Sequence, residues 1–246
     1  ALDKLYKRQN GDGGWGWWDR GESRVHLTAY TVFGMLKARE AGFDVRVEVM
    51  ERGLSYLRTH LEPARDLTSP EAANQQAFIL YVMTEGEKIS AASEYVGGLY
   101  DNRDKLSHYG RAYLAMALDG IREREGGSDD RIDTMLSDLQ NAAILSATGA
   151  HWEEEGYDRW AMNTDTHSTA VILEALARLD PENDLIPNVV RWLMVARQDG
   201  VWETTYETAW ALIALTDWMT VTGELEGNYR YGLWLNEELL EEGQVT

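Results

Sequence analysis

The chain has 246 residues, of which 44% are hydrophobic, so it can bury the core of one large domain or of two small ones. Lys and Arg number 23 against 42 Asp and Glu, and the net charge of −19 disfavours binding to nucleic acid or to anionic lipid. The absence of cysteine excludes a disulfide framework, a thiol nucleophile and a thiolate zinc site within these residues. No apolar run reaches the roughly 20 residues of a membrane span, so we expect no direct insertion into a membrane.

Hydrophobic periodicity predicts helices along almost the whole chain, and these helices alternate between two kinds. Helices of the first kind are apolar nearly all round, as expected for inner helices that are covered on every side. Helices of the second kind have one apolar face, as expected for outer helices that show one face to water. In chain order, the sequence predicts an outer helix at 2–8, an inner helix from His26, an outer helix at 45–61, inner helices from Asn74 and from Tyr109, an outer helix at 132–145, an inner helix from His167, an outer helix at 185–196, an inner helix from Tyr206 and a strand at 229–236.

A repeated signature accompanies the inner helices. A turn that contains Gly and Trp precedes a helix that opens on Thr-Ala, and this occurs three times, with turns that read DGGWGWW, GAHW and DGVW. Two weaker copies, NQQAFILYVM and YGRAYLAMAL, keep the helix and lose the tryptophan turn. A repeat of this length is the mark of stacked supersecondary units.

The alternation predicts an all-α fold, in which helical hairpins form a ring called an α/α toroid. A closed ring of this type usually has six hairpins, so one inner helix is expected ahead of Ala1 and the toroid is expected to be N-terminally incomplete. We predict that residues 1–226 form the toroid. Residues 227–246, with the alternating aromatic strand at 229–236, are predicted to start a following β domain or a linker. Gly223 and Gly227 mark the exit from the helices.

Three motifs in this order resemble the thioester-containing domain of bacterial alpha-2-macroglobulins, a family related to complement components. They are QNGDGGWGWW with LTAY, VVRWLMVARQDGVW with ETAWALIAL, and NYRYGLWLN. The resemblance implies a broad-spectrum endopeptidase inhibitor, in which cleavage of a bait region exposes an internal thioester that acylates the attacking protease. It also implies that the chain is not an enzyme and needs no cofactor. Its partners would be proteases and neighbouring β domains of the same protein, in the periplasm, the cell envelope or outside the cell.

The family's thioester joins the Cys and the Gln of a Cys-x-x-Gln motif at the start of the first inner helix. This sequence contains no such motif. In the family the motif lies upstream of the DGGWG turn, close to which this chain begins. The sequence therefore leaves open whether the whole protein carries a thioester.

Five polar residues fall at the same place when the inner helices are aligned on Thr-Ala, two residues before the Thr or its substitute. They are His26, Asn74, Tyr109, His167 and Tyr206. Equivalent positions in a toroid lie around one rim, where helix N-termini favour an acyl oxyanion and where the family has its thioester. We take these five as candidate site residues, with His26 or His167 as a general base or acyl acceptor because an ordinary imidazole titrates near neutral pH. The alternative interpretation is N-capping and solvation at helix starts.

Two classes of enzyme on the same fold are the alternatives. A terpene cyclase requires an Asp-x-Asp-Asp-Thr-Ala motif, of which only the first acid, Asp165, is present. A glycosidase requires two carboxylates about 5–10 Å apart, and the acidic run at 153–155 beside aromatic residues is the candidate. Such runs, like the pair Asp129 and Asp130, are typical of solvated loops. Zinc chemistry of the prenyltransferase type lacks its Cys ligand.

Tryptophans are frequent in the repeat turns and could serve as ligand platforms or as wedges between helices. We predict that they are wedges, because a large ring in each turn can join neighbouring hairpins. The residues concerned are Trp15, Trp17, Trp18, Trp152 and Trp202.

Overall fold

The computed structural model describes residues 1–19, 21–223, 229–235 and 238–245. These ranges contain ten α-helices, two short 3-10 turns and two β-hairpins. The inner helices are α2 (Val25–Glu40), α4 (Pro70–Glu85), α6 (His108–Glu125), α8 (Asp165–Leu179) and α10 (Thr205–Val221). The outer helices are α1 (Leu2–Lys7), α3 (Val47–Arg58), α5 (Ile89–Asp101), α7 (Asp130–Asn141) and α9 (Ile186–Ala196). None of the described helices is long and apolar enough to cross a membrane.

Burial distinguishes the two kinds of helix as the sequence predicts. In α8 every residue from His167 to Ala177 is buried, whereas α9 buries only Ile186, Val189 and Leu193. Consecutive inner helices pack side by side, and α3, α5, α7 and α9 each pack against the inner helix that precedes them. The all-α fold class is therefore confirmed.

Side chains of α2 and α10 bring the first and last described inner helices together. The Phe33 ring stacks on the Trp210 ring with centroids 5.0 Å apart, and the Lys37 Nζ lies 3.1 Å from Asp217 Oδ2. The inner helices thus form a ring, whose N-terminal ends lie at one rim and whose C-terminal ends lie at the other.

The repeated signature has a structural cause, because in each of its three full copies a buried tryptophan joins the inner helix to the outer helix before it. The tryptophan backbone N–H donates to the Thr hydroxyl of the Thr-Ala pair. The indole N–H donates to one of the last four carbonyls of the outer helix, which have no partner within that helix. The backbone N–H bonds are Trp15 to Thr28 at 2.9 Å, Trp152 to Thr169 at 3.2 Å and Trp202 to Thr208 at 3.1 Å. The indole N–H bonds are Trp15 to the Leu5 carbonyl at 2.9 Å, Trp152 to the Leu139 carbonyl at 2.8 Å and Trp202 to the Leu193 carbonyl at 3.0 Å.

The two copies without tryptophan keep this connection by other means. Gln76 of α4 stands at the Thr position, and its amide exchanges two hydrogen bonds with the backbone of Glu62, at 2.9 and 2.7 Å. Arg111 of α6 stands at the same position and donates from Nε to the Arg103 carbonyl at 3.3 Å. The register therefore marks the point at which each inner helix holds the preceding loop.

Two of the five tryptophans do not act as wedges. Trp15, Trp152 and Trp202 are buried, but Trp17 is 56% exposed and Trp18 is 82% exposed. The N–H of Gly21 donates to the Trp18 carbonyl at 2.9 Å, so the backbone turns at the surface after the first indole is inserted. The prediction was wrong for Trp17 and Trp18 because one ring fills the space between the helices.

The outer helix predicted at 132–145 ends earlier, at Asn141. After it, strands β1 (Ile144–Ser146) and β2 (Gly149–His151) form an antiparallel hairpin that the sequence analysis missed. Gly149 has a φ of +133°, and a Cβ there would lie 2.2 Å from the carbonyl oxygen of Asn188. The hairpin therefore depends on a close backbone approach to α9, which periodicity does not reveal.

A second antiparallel hairpin follows the helices, formed by β3 (Tyr229–Leu235) and β4 (Glu238–Val245) with an irregularity between Leu233 and Trp234. The strand predicted at 229–236 is thus present from Tyr229 to Leu235, while Gly227 and Asn236 lie outside the described residues. Trp234 is 67% exposed, which leaves an apolar surface on this hairpin.

We expect Thr28→Val to lower the free energy of unfolding by about 1–3 kcal/mol, because valine keeps the shape and leaves the buried Trp15 N–H without an acceptor. Urea denaturation of the variant beside the wild type measures the loss. Thr216→Val, on the exposed side of α10, is the matched control and should stay within about 0.5 kcal/mol of the wild type. Equal losses of unfolding free energy in the two variants would contradict a stabilising role of the Thr28 hydroxyl as acceptor of the Trp15 N–H.

Candidate functional site

The N-terminal ends of the inner helices surround a cavity of about 60 Å³, which we call the rim cavity. All five residues that the helix register selects line this cavity. They come from five different helices, and the equal register places them at the same level of the ring. The residues are His26, Asn74, Tyr109, His167 and Tyr206.

Further aromatic rings contribute to the wall of the cavity. Tyr30, Phe78 and Tyr113 line the cavity, and each lies four residues after a register residue, which is one helical turn further into the ring. The sequence analysis did not include them, although this spacing is the signal that would have identified them. The Phe78 and Tyr113 rings lie 4.9 Å apart, and the Tyr30 and Tyr206 rings lie 5.4 Å apart.

His167 is completely buried among these rings. Its Nε2 lies 3.4 Å from the Tyr113 hydroxyl and 3.5 Å from the Tyr206 hydroxyl. Burial lowers the pKa of this imidazole from 6.5 to about 3, so it is neutral at physiological pH. A general base works best when its pKa lies near the operating pH. The expectation of a near-neutral pKa was therefore wrong for His167, and burial also lowers the pKa of His26.

A buried carboxylate, Asp158, lies in the wall of the rim cavity and is 5% exposed. The Tyr109 hydroxyl donates to Oδ2 at 2.9 Å, and the backbone N–H groups of Trp160 and Ala161 donate to Oδ1 at 2.8 and 3.1 Å. These bonds hold the loop between β2 and α8 across the rim. Sequence reasoning missed Asp158 because the loop is an insertion outside the repeat.

Two rings from loops cover the mouth of the cavity beside His26. The Trp160 ring lies 5.0 Å and the Trp17 ring 5.9 Å from the His26 ring. Trp160 and Met162 are each 39% exposed. The mouth is therefore an apolar surface formed by a repeat turn and by the insertion.

Of the five register residues, Asn74 alone fits the N-capping alternative, and it caps a neighbouring helix and not its own. Side chains of Ser69, Thr164 and Thr204 cap α4, α8 and α10, whereas the register residues lie inside their own helices. The Asn74 amide, however, donates to the Ser107 hydroxyl at 2.9 Å and accepts from the Ser107 N–H at 3.0 Å. Asn74 therefore stabilises the start of the neighbouring helix, α6.

Three of the acidic residues considered for enzyme chemistry have structural partners. Both carboxylate oxygens of Glu154 accept first-turn N–H groups of α6, from His108 and Tyr109, at 3.2 Å. Glu153 is an exposed partner of His151, and Asp129 caps α7. The described part of the chain also has no group of three or more residues that could hold a metal ion. The enzyme alternatives are not favoured.

We expect stability to fall by about 2 kcal/mol between pH 7 and pH 5 through His167 alone, at about 1.4 kcal/mol per pH unit below 6.5. The pKa of His167 is lower in the folded state than in the unfolded state, so between these two values the unfolded chain binds a proton that the native chain does not bind. This stability is complete above pH 6.5 and is lost as the pH falls toward 3. Urea denaturation of the wild type and of His167→Gln at several pH values measures the difference in slope.

The variant His60→Gln is the control for this pH dependence, because it removes an exposed histidine just after the end of α3. Its pH slope is measured beside those of the wild type and of His167→Gln. If His167→Gln keeps the slope of the wild type, His167 is not buried as a neutral imidazole.

The fold and the site together define an α/α ring of helical hairpins with an aromatic cavity at one rim. Two curated proteins are similar to this chain over 89% of its length. The chain is 26% identical to the alpha-2-macroglobulin of Thermotoga maritima and 24% identical to an alpha-2-macroglobulin homolog of a Nostoc species. It spans 12% and 11% of the length of these relatives. No protein-family model matches the chain.

Solved structures show the same fold. Salmonella alpha-2-macroglobulin reacted with methylamine superposes with a TM-score of 0.64 at 20% identity, over 87% of this chain and 14% of that one. Escherichia coli alpha-2-macroglobulin activated by porcine elastase superposes with a TM-score of 0.65 at 19% identity, over 99% of this chain and 21% of that one. The chain is therefore similar to a segment of the bacterial alpha-2-macroglobulins, which confirms the resemblance found in the sequence.

Proposed function

We propose that the chain is the thioester-domain-like toroid of a bacterial alpha-2-macroglobulin-like inhibitor that traps attacking endopeptidases. The observation that carries the proposal is the convergence of the five register residues at one rim, in a chain related to alpha-2-macroglobulins. The curated relatives are several times longer than this chain, so trapping is a property of the whole protein. The toroid itself is an interaction module and not a turnover enzyme.

We assign residues 1–226 to the toroid and residues 227–246 to the start of a following β domain. Exposed apolar side chains on the second hairpin, such as Leu233 and Trp234, support this division because they suit packing against further strands. Exposed rings at the rim, from Trp17 and Trp18, suit contact with neighbouring β domains of the same protein in the same way.

We place the whole protein in the periplasm, the cell envelope or outside the cell, where foreign proteases are met. In this proposal the protein binds proteases and does not bind nucleic acid. Covalent capture requires a thioester, and a protein without one would hold the protease non-covalently. The proposal of trapping covers both mechanisms.

The test uses the natural protein that contains this chain and two proteases, porcine elastase and trypsin. After incubation with an excess of the protein, each protease is assayed on casein and on a small chromogenic peptide. A trap encloses the protease, so cleavage of casein should fall at least tenfold while cleavage of the peptide is retained. Serum albumin in place of the protein is the control. Undiminished cleavage of casein would overturn the proposal, and equal loss on both substrates would indicate an active-site inhibitor.

A further inference from the structure

The rim cavity has a property that protease trapping does not explain, namely an aromatic wall around a buried carboxylate. We infer that it is a binding site for a small organic ammonium ion. The inference rests on the geometry and charge of the cavity and does not depend on the proposed function.

The size and wall of the cavity select the kind of ligand. At about 60 Å³ it exceeds the space that one water molecule needs and suits a head group of a few heavy atoms. Six aromatic side chains line it, and the electron-rich faces of such rings attract cations. The six are Tyr30, Phe78, Tyr109, Tyr113, Trp160 and Tyr206.

The charges of the wall favour a cation. Asp158 is the carboxylate among the described lining residues, and these include no Lys or Arg. His167 adds no positive charge because burial keeps its imidazole neutral. Three hydrogen bonds already fix the Asp158 side chain, so it is in position before a ligand arrives and little ordering is needed on binding.

An anion is disfavoured at the same place, although helix N-termini point toward the rim. The partial positive charge of a helix acts only within its first turn, and carboxylates already occupy two of these helix starts. Glu154 accepts two N–H groups of α6, and Glu207 accepts the Thr204 N–H at 2.9 Å beside the start of α10. The net charge of −19 further repels anions and attracts cations.

Two rings of the cavity wall reach the surface of the protein, and one of them already contacts a cationic side chain. Tyr30 and Trp160 are partly exposed, at 36% and 39%. The guanidinium of Arg159 lies 4.9 Å from the centroid of the Trp160 ring. We therefore expect a small ammonium ion to enter the cavity beside these partly exposed rings.

The experiment titrates the 246-residue chain with tetramethylammonium chloride, followed by isothermal calorimetry and by the backbone amide NMR signals of Trp160 and Ala161. We expect saturable binding with a Kd on the order of 1 mM, as suits a ligand of five heavy atoms. tert-Butanol, which has a similar size and no charge, should bind at least tenfold more weakly. Equal affinity for the two compounds would show a merely apolar cavity, and no saturation by 100 mM would overturn the inference.

Matched variants separate the aromatic contribution from the fold. Tyr30 is partly exposed, so both Tyr30→Phe and Tyr30→Leu should fold, as judged by circular dichroism and melting temperature. Tyr30→Phe keeps the ring and should bind within twofold of the wild type, whereas Tyr30→Leu should bind at least threefold more weakly. Asp158→Asn should weaken binding about tenfold. Identical affinities of the two Tyr30 variants would contradict a cation held by aromatic rings. The protease assay contains no ammonium ligand, so each proposal can fail separately.

Discussion

Trp202→Ala is expected to lower the free energy of unfolding by about 3–5 kcal/mol, the usual range for removing a buried tryptophan. The Trp202 side chain is 4% exposed, and its indole N–H donates to the Leu193 carbonyl at 3.0 Å. The substitution therefore leaves a cavity between α9 and α10 and an unpaired carbonyl at the end of α9. Urea denaturation at pH 7 measures the loss, with the slope of the transition as a check that unfolding remains two-state.

Two matched variants help to assign the loss of stability to the ring and the hydrogen bond of Trp202. Trp202→Phe keeps most of the ring and removes the indole hydrogen bond, so it should cost less than Trp202→Ala. Trp18→Ala removes a tryptophan that is 82% exposed and lies in another copy of the repeated turn. It should change stability by less than about 0.5 kcal/mol. If Trp18→Ala costs as much as Trp202→Ala, the joining of helices by one buried indole per turn is wrong.

Lys37→Met should cost about 3–5 kcal/mol at pH 8, because it leaves a buried carboxylate without its positive partner. The Lys37 Nζ lies 3.4 Å from Glu174 Oε1 and 3.1 Å from Asp217 Oδ2 at the C-terminal rim of the ring. Glu174 is only 3% exposed and also accepts a hydrogen bond from the Tyr81 hydroxyl at 2.8 Å. Methionine keeps an apolar stem beside Phe33, so the loss reports mainly the charge.

The pKa of Glu174 determines how the cost of Lys37→Met changes with pH. Burial raises the pKa of Glu174, and Lys37 acts in the opposite direction. Without Lys37 the pKa of Glu174 rises further above its unfolded value, so the native state gains stability as the pH falls and the carboxylate takes up a proton. Lys37→Met should therefore be less destabilised, relative to the wild type, at pH 5 than at pH 8.

The double variant Lys37→Met with Glu174→Gln is the control, since it removes both charges. It should be more stable than Lys37→Met alone, which a double-mutant cycle by urea denaturation would show. An equal cost of the single and double variants at both pH values would mean that the ion pair contributes nothing to the ring.

Periodicity predicted the alternation of inner and outer helices because burial on all sides and burial on one side leave different patterns in the sequence. The register was also predictable. In the three copies with Thr-Ala, the Thr holds the tryptophan turn before it, and in the other two copies Gln76 and Arg111 hold the preceding loop from the same position. Residues such as His26 and His167 therefore come to one level. Residues one turn further on, such as Tyr113, follow from the same helical spacing.

Contacts between distant parts of the chain were beyond the reach of sequence patterns. Trp15 is inserted between helices while Trp17 and Trp18 stay outside, although all three follow closely in one turn. The turn accommodates a single ring, and only the packed helices decide which one enters.

The sequence by itself determined the helix types, the repeat, the register and the resemblance to alpha-2-macroglobulins, since each of these depends on residues that are close in the chain or recur at a fixed interval. The tertiary structure alone decided that Asp158 of the insertion enters the rim cavity and that Lys37 meets Asp217, 180 residues away. It also decided that His167 is too deeply buried to carry a charge at neutral pH. Charge pairing, desolvation and cavity shape are set by neighbours in space, which a single sequence does not specify.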